Sequence, residues 1–256
     1  MNTPRSLFLG HGAPTLALSS HPAAESLRQL GQTLEAPKAV IVVSPHRQAH
    51  RFDPGGAARF SAWHDFGGFA KELYTLSYDP PGNPTLAARV ADLIGAAGLL
   101  SQISQDARID HGIWVPLRLM WPEAQIPVVP VSQQMSGTAA HYALGQTLRP
   151  LTEEDVLVIG SGSITHNLGD VVRWEEQAPA EAWAREFDDW IAEQIASGDI
   201  DALLRYRELA PHAAHAHPTE EHLLPLFVAL GAGKSGVPLH RSFSYATISM
   251  ASYAFQ

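Results

Sequence analysis

The sequence predicts an α/β domain with a mostly parallel central sheet, helices on both faces, and additional antiparallel strands at the C-terminal end. Three observations carry that expectation. Four short apolar runs are flanked by Gly, Pro or Ser, stretches of helical spacing separate them, and the last segment alternates in character. Strands buried on both faces of a parallel sheet read as continuous apolar runs, whereas alternation marks a strand with one wet face.

In chain order the runs are SLFLG (6–10), AVIVVS (39–44), IPVVPVS (126–132) and VLVIGS (156–161). The helix over 22–34 opens with Pro22, where the missing N–H has no partner to lose. The helix over 84–94 continues as LAARVADLI, and a shorter one is expected over 141–148. Residues 180–196 carry Trp183, Phe187, Ile191 and Ile195 at four-residue steps with Trp190 beside them, a stripe expected to face the core. Residues 239–255, rich in Ser, Thr, Phe and Tyr, supply the antiparallel strands. No repeat or linker divides the chain, so one domain over 1–256 is expected.

Composition narrows the function. Hydrophobic residues make up 45% of the 256, ample for a sizeable core. A net charge of −9 with 17 Lys+Arg leaves no basic surface for phosphates, which excludes nucleic acid and anionic membranes as partners and favours a small molecule. No apolar run approaches the roughly 20 residues of a membrane span. Gly10 and His11 also interrupt the N-terminal run early, so a cytoplasmic protein without a signal peptide is expected. The absence of Cys excludes thiolate ligands and a Cys nucleophile, and leaves any metal to His, Asp or Glu. The 13 His are a bias that raises the question of metal.

The histidines fall in a pattern. His11 directly follows the first run, His46 lies two residues past the second, and His166 five past the fourth. Carboxyl ends of parallel strands share one edge, where open α/β proteins bind their ligands. His111, in DHG ahead of an apolar helical stretch, and His222, expected one turn into a helix capped by Thr219, bring the candidates to five. His50, His141, His212, His215 and His240 read as surface or loop residues, with the PHAAHAH run as a solvated loop. His64 either shapes the pocket or caps a turn, and Glu220 and Glu221 read as first-turn carboxylates that could also ligate metal.

The stretch VIGSGSITHNLGD ends a buried strand in four small residues before His166. It lacks the Lys of a P-loop and the full G-x-G-x-x-G spacing. It also lacks the Ser of a nucleophile elbow, since Gly162 stands where G-x-S-x-G needs it. The remaining reading is that small residues let the backbone pass close to a ligand while His166 points into the site.

Seven motifs in order, FLGHGAP, VVSPH, HDFGGF, YDPPGNP, DHGIWVPL, SGSITHN and HPTEEHLLPL, resemble the DODA-type branch of the class III extradiol ring-cleaving dioxygenases, from about Leu7 onward. This branch is DOPA 4,5-dioxygenase-like and related to the protocatechuate 4,5-dioxygenase catalytic subunit. The wider family binds non-haem Fe(II) through two His and one carboxylate. The resemblance implies His11 and His46 as the two histidine ligands. The third ligand position falls here on His222, an imidazole, and such a set also suits Zn(II). His166 resembles the active-site base, with a possible additional role as ligand, and His111 a further catalytic pocket histidine. Asp110 is a candidate to hold the His111 tautomer. The implied partners are a small aromatic diol, DOPA- or protocatechuate-like, and O2, and the implied product is a muconic semialdehyde. The alternative from composition alone is a zinc-dependent hydrolase using the same histidines with Glu220 or Glu221 as base. A third reading is a non-catalytic relative that binds diphenols.

Overall fold

The computed structural model describes residues 4–171 and 175–256. All four apolar runs become parallel strands of one sheet: β1 (Ser6–Gly10), β2 (Ala39–Gln48), β3 (Val128–Gln133) and β4 (Val156–Gly162). The C-terminal segment adds β5 (Gly236–His240) and β6 (Ser252–Phe255), and the order across the sheet is β3-β2-β4-β1-β6-β5. β6 runs antiparallel to both β1 and β5, and the two-residue strands Phe243–Ser244 and Ile248–Ser249 form a hairpin beside them, as the alternating tail predicts.

The helices of nine or more residues are α1 (Pro22–Thr33), α2 (Pro84–Ala96), α3 (His111–Met120), α4 (Gly137–Thr152), α5 (Ala182–Ser197) and α6 (Leu224–Ala232). They cover both faces because successive strand residues point to opposite sides. Leu7, Leu9, Val40, Val42, Leu157 and Ile159 meet α1 and α3 on one side. On the other, Ile41, Val43 and Val158 pack with α2 and α4, while Phe8 packs with α5 and α6. Every residue of α6 is buried, which is how a helix apolar on all sides must sit. In α5, Phe187, Ile191 and Ile195 are buried and Trp183 and Trp190 pack against that core, as the stripe predicts. Among the described residues no helix is long and apolar enough to cross a membrane.

Several expectations change. β2 continues to Gln48, so His46 lies inside a strand whose pairing with β3 shifts register between Val43 and Gln48. The helix expected over 141–148 spans Gly137–Thr152, with Pro150 accommodated in its last turn. His141 is therefore not a surface residue. It is fully buried in α4, donates from Nδ1 to the Gly137 carbonyl at 2.8 Å and lies edge-on to Phe52. His217 of the PHAAHAH run is likewise buried, with Nε2 2.7 Å from the Ile164 carbonyl. His222 precedes α6 instead of lying within it, and Thr219 bonds Glu221 rather than capping a helix.

Buried His141 gives a stability prediction. Burial pushes its pKa from 6.5 down to about 4, outweighing the Gly137 hydrogen bond. A lowered histidine pKa means the unfolded chain takes up the proton first, so this stability is present above about pH 6.5 and is lost as pH falls towards 4. The loss between pH 7 and pH 5 is about 2 kcal/mol. Urea unfolding of His141→Gln at the two pH values should show the gap in stability narrowed by that amount; an unchanged gap would assign the acid sensitivity elsewhere.

Candidate metal centre

Adjacent parallel strands bring distant residues together at one sheet edge. His11 follows Gly10, which lies opposite Gly162 in the register, and its N–H donates to the Gly162 carbonyl at 3.1 Å. His46 comes from the far end of β2, the neighbour of β4 on the other side. His222 has no strand of its own and is carried by a segment laid against the end of β4. The Ser163 N–H donates to the His222 carbonyl at 2.9 Å. A Cβ on Gly162 would stand 2.2 Å from that carbonyl oxygen, and one on Gly160 would stand 2.0 Å from the Pro225 oxygen. The small residues thus admit another part of the chain, not a ligand, which corrects the reading of VIGSGSITHNLGD.

The three imidazoles converge. His11, His46 and His222 each offer a ring nitrogen within 4.8 Å of the others, and the Nε2 atoms of His11 and His46 are 3.3 Å apart. Outer partners orient the rings. The Ser161 hydroxyl donates its one proton to the Gly112 carbonyl, so at 3.0 Å it accepts from His11 Nδ1, which leaves the His11 Nε2 lone pair facing inward. His222 Nδ1 donates to Glu221 Oε1 at 3.2 Å, and His46 Nδ1 lies 3.8 Å from Asp65 Oδ2. His222 Nε2 is buried with no hydrogen-bond partner. His11 and His222 each turn an Nε2 lone pair inward, that of His222 unpartnered, and His46 Nε2 stands beside them, so a cation accepted by the three inner nitrogens would satisfy the buried orphan, and this donor set fits a divalent metal.

Electrostatics agree. Burial, with the neighbouring imidazoles adding to it, holds His11 and His222 far below the ordinary histidine pKa, and brings His46 down to about 3 against the opposing pull of Asp65. All three are neutral at pH 7, the form that binds metal.

His166 and His111 stand beside this centre. His166 stacks on His222 with ring centroids 3.4 Å apart, and its N–H donates to the Ala216 carbonyl. Burial lowers its pKa to about 4, with Glu221 opposing and His111 adding to the shift. His111, at the start of α3, lies 4.1 Å from the His46 ring. The residue that holds it is Asp65, whose Oδ1 accepts from both its backbone N–H and its Nδ1 at 3.0 Å. Burial opposes ionisation of Asp65, but the hydrogen bonds from His111 prevail and keep its carboxyl below the usual range. Asp110, expected in that role, instead accepts from Ser44 Oγ at 2.5 Å, and burial pushes its pKa up to about 6.

A cavity of about 270 Å³ opens onto all five histidines, with Phe66, Phe69, Leu168, Val171 and Ile248 as its apolar wall. His64 supports that wall from behind, bonded to the Leu76 carbonyl with its ring against Phe66. The remaining histidines lie elsewhere. His50, His212 and His215 are exposed, the last two paired with Glu186 and Asp170, and His240 bonds Ser242. Glu220 accepts from the Tyr206 hydroxyl, and neither it nor Glu221 is a first-turn residue of α6. Glu221 Oε1 accepts from His222 Nδ1, which gives this carboxylate a part in orienting His222. Asp65 and Ser161 are the functional residues missed. Asp65 lies within the quoted motif HDFGGF, the one signal that pointed to it.

Sheet and centre together fit a metal-dependent enzyme with a small-molecule pocket, and the comparisons supply its class. The family described as the catalytic LigB subunit of aromatic ring-opening dioxygenase matches residues 7–256, and the chain belongs to it. Within it the chain is an extradiol ring-cleaving dioxygenase of the class III, DODA type. It is 38% identical to a 4,5-DOPA dioxygenase extradiol of Beta vulgaris, over 99% of this chain and 97% of that one. The 4,5-DOPA dioxygenase extradiol of Escherichia coli K12 is 34% identical over 91% of this chain and 86% of its own length. A crystal structure of an uncharacterized Escherichia coli K12 protein superposes with a TM-score of 0.79 at 27% identity, covering 98% of this chain and 99% of that one.

Ser161→Ala should weaken metal binding roughly 10- to 100-fold in a chelator competition, because the His11 ring loses the acceptor that orients it. Gly162→Ala should lower the bound-metal stoichiometry further, since the His222 carbonyl must move. Unaltered affinity in both would show that these contacts do not organise the centre.

Proposed function

We propose that this chain is an Fe(II)-dependent dioxygenase for a catechol of the DOPA type, with His11, His46 and His222 as metal ligands and His166 as the acid–base residue. The convergence of three inward-facing, neutral imidazoles beside a ring-sized cavity carries this reading. When bound, Fe(II) supplies a Lewis acid for the two diol oxygens and the one-electron chemistry that allows dioxygen to react with a closed-shell ring. Zn(II) suits the same imidazoles but supplies only the first of these.

The chain's own residues do the rest. Phe66, Phe69 and Ile248 offer apolar surface to an aromatic ring and keep water away from the histidines. His166, neutral at pH 7, faces the same cavity and can take a proton from a ring hydroxyl and return it later. Its stacking on His222 keeps that nitrogen close to where a ligand of the metal would sit. The relatives named for 4,5-DOPA support a catechol bearing an amino-acid side chain as substrate.

Protein stripped of metal and reloaded separately with Fe(II) or Zn(II) tests the reading. Oxygen uptake with DOPA, and a yellow product, are expected with Fe(II) alone. Uptake with neither metal would overturn the assignment of substrate and metal. His166→Ala should retain its metal and lose roughly 10²-fold or more in turnover. Full turnover in that variant would remove His166 from the proton chemistry.

A further inference from the structure

Two imidazoles beyond the three converging ones face the cavity, and they are held in different ways. His166 is fixed by ring stacking. His111 is fixed by a carboxylate that lies 46 residues away in sequence and grips it at two points. Oδ1 of Asp65 accepts from the His111 backbone N–H, which anchors the first residue of α3, and from Nδ1 of the ring. Oδ2 stands 3.0 Å from the same Nδ1 and 3.8 Å from Nδ1 of His46. With only 7% of its side chain exposed, Asp65 has little water to bond instead.

An ionised carboxylate accepts and cannot donate, so a ring nitrogen at 3.0 Å from both its oxygens must carry the proton. In the neutral ring the other nitrogen, Nε2, is then the one with a lone pair. The Nδ1 edge of His111 is taken by Asp65, so the opposite edge lines the cavity. We propose that Asp65 is a positioning residue that locks His111 in the Nδ1–H tautomer, so that Nε2 accepts a hydrogen bond from a hydroxyl of the aromatic diol.

This division of labour rests on the proposed function for its diol and gives it a recognition rule. A neutral histidine free to choose its tautomer would accept a hydroxyl in one state and present an N–H in the other. The locked ring accepts only. A ring substituent at that position must therefore donate, as a phenol does, and a methyl ether in its place would lose the bond and leave Nε2 unpaired. Selection of this kind is strong because the mismatched ligand strands a buried polar atom. The contact between Asp65 and His46 further means that the carboxylate faces a converging imidazole with the same oxygen that backs the pocket imidazole.

The test separates tautomer from turnover. Nitrogen-15 NMR of the metal-free protein, with the His111 signals assigned by comparison with His111→Gln, should show His111 protonated at Nδ1. Asp65→Ala should abolish that preference and, compared with the parent at equal bound metal, should weaken anaerobic binding of a catechol at least 10-fold. Asp65→Asn, whose side-chain oxygen can still accept both N–H groups, should keep the tautomer and most of the affinity. This isosteric variant also guards against misfolding of the alanine form. A preference for Nε2–H in the parent, or equal catechol binding by the parent and Asp65→Ala, would overturn the proposal. Because the NMR measurement needs neither metal nor substrate, it fails or succeeds independently of the Fe(II) and DOPA assignment.

Discussion

The whole centre depends on one backbone seated against another. β4 ends in glycines, and the peptide carrying His222 lies on them with its carbonyl bonded to the Ser163 N–H. β1 and β2 flank β4 in register, so their histidines arrive at fixed heights along the same edge. The third imidazole has no strand and reaches that height only because Gly162 and Gly160 leave room for the backbone from His222 to Pro225. A parallel sheet supplies two of the three imidazoles by topology, and a missing pair of Cβ atoms supplies the third.

Bringing five imidazoles together is costly if any carries charge. Burial and mutual repulsion solve this by holding the rings of the convergence neutral. Neutral rings still need their protons parked outward, and each of the three has a specific acceptor or carboxylate on its Nδ1 side. These are a serine whose own proton is committed to Gly112, the Glu221 carboxylate, and the Asp65 carboxylate at longer range. Tautomer control by the surroundings is therefore what turns a crowd of histidines into a set of inward lone pairs.

The sheet and the strand-end histidines were legible because apolar runs and chain order map directly onto parallel strands. His11 and His166 follow their strands as expected, while His46 proved to lie within its own. The start of α6 was misjudged, yet Pro225 marks its first turn and would have placed His222 before the helix. α4 runs four residues further at each end than the 141–148 stretch its spacing predicts, which places His141 inside the helix, where it is buried. Asp65 was out of reach for a different reason. Between β2 and α3 the chain has α2 and a short 3-10 turn, but its sheet pairing is only two residues long, Ser61–Ala62 against Arg108–Ile109. No periodicity there tells which side chain turns back towards His111. The nearer carboxylate, Asp110, was the natural choice by sequence distance, but at the N-terminus of α3 it points to Ser44.

In the proposed ligand set His222 stands where the resemblance implies a carboxylate, which would change the charge at the centre, and the outer residues answer that change. Two histidines and a carboxylate leave a bound dication with one net positive charge, whereas three neutral imidazoles leave it with two. Asp65 and Glu221 carry the negative charge one residue further out, each against the outer nitrogen of an imidazole rather than at the convergence itself. Charge placed there polarises the ring it touches and makes the inner nitrogen a better donor, but it does not occupy a position near the cation. With the proposed metal bound, the excess positive charge would be available to an anionic ligand, and a diol that can lose its protons is a ligand of that kind.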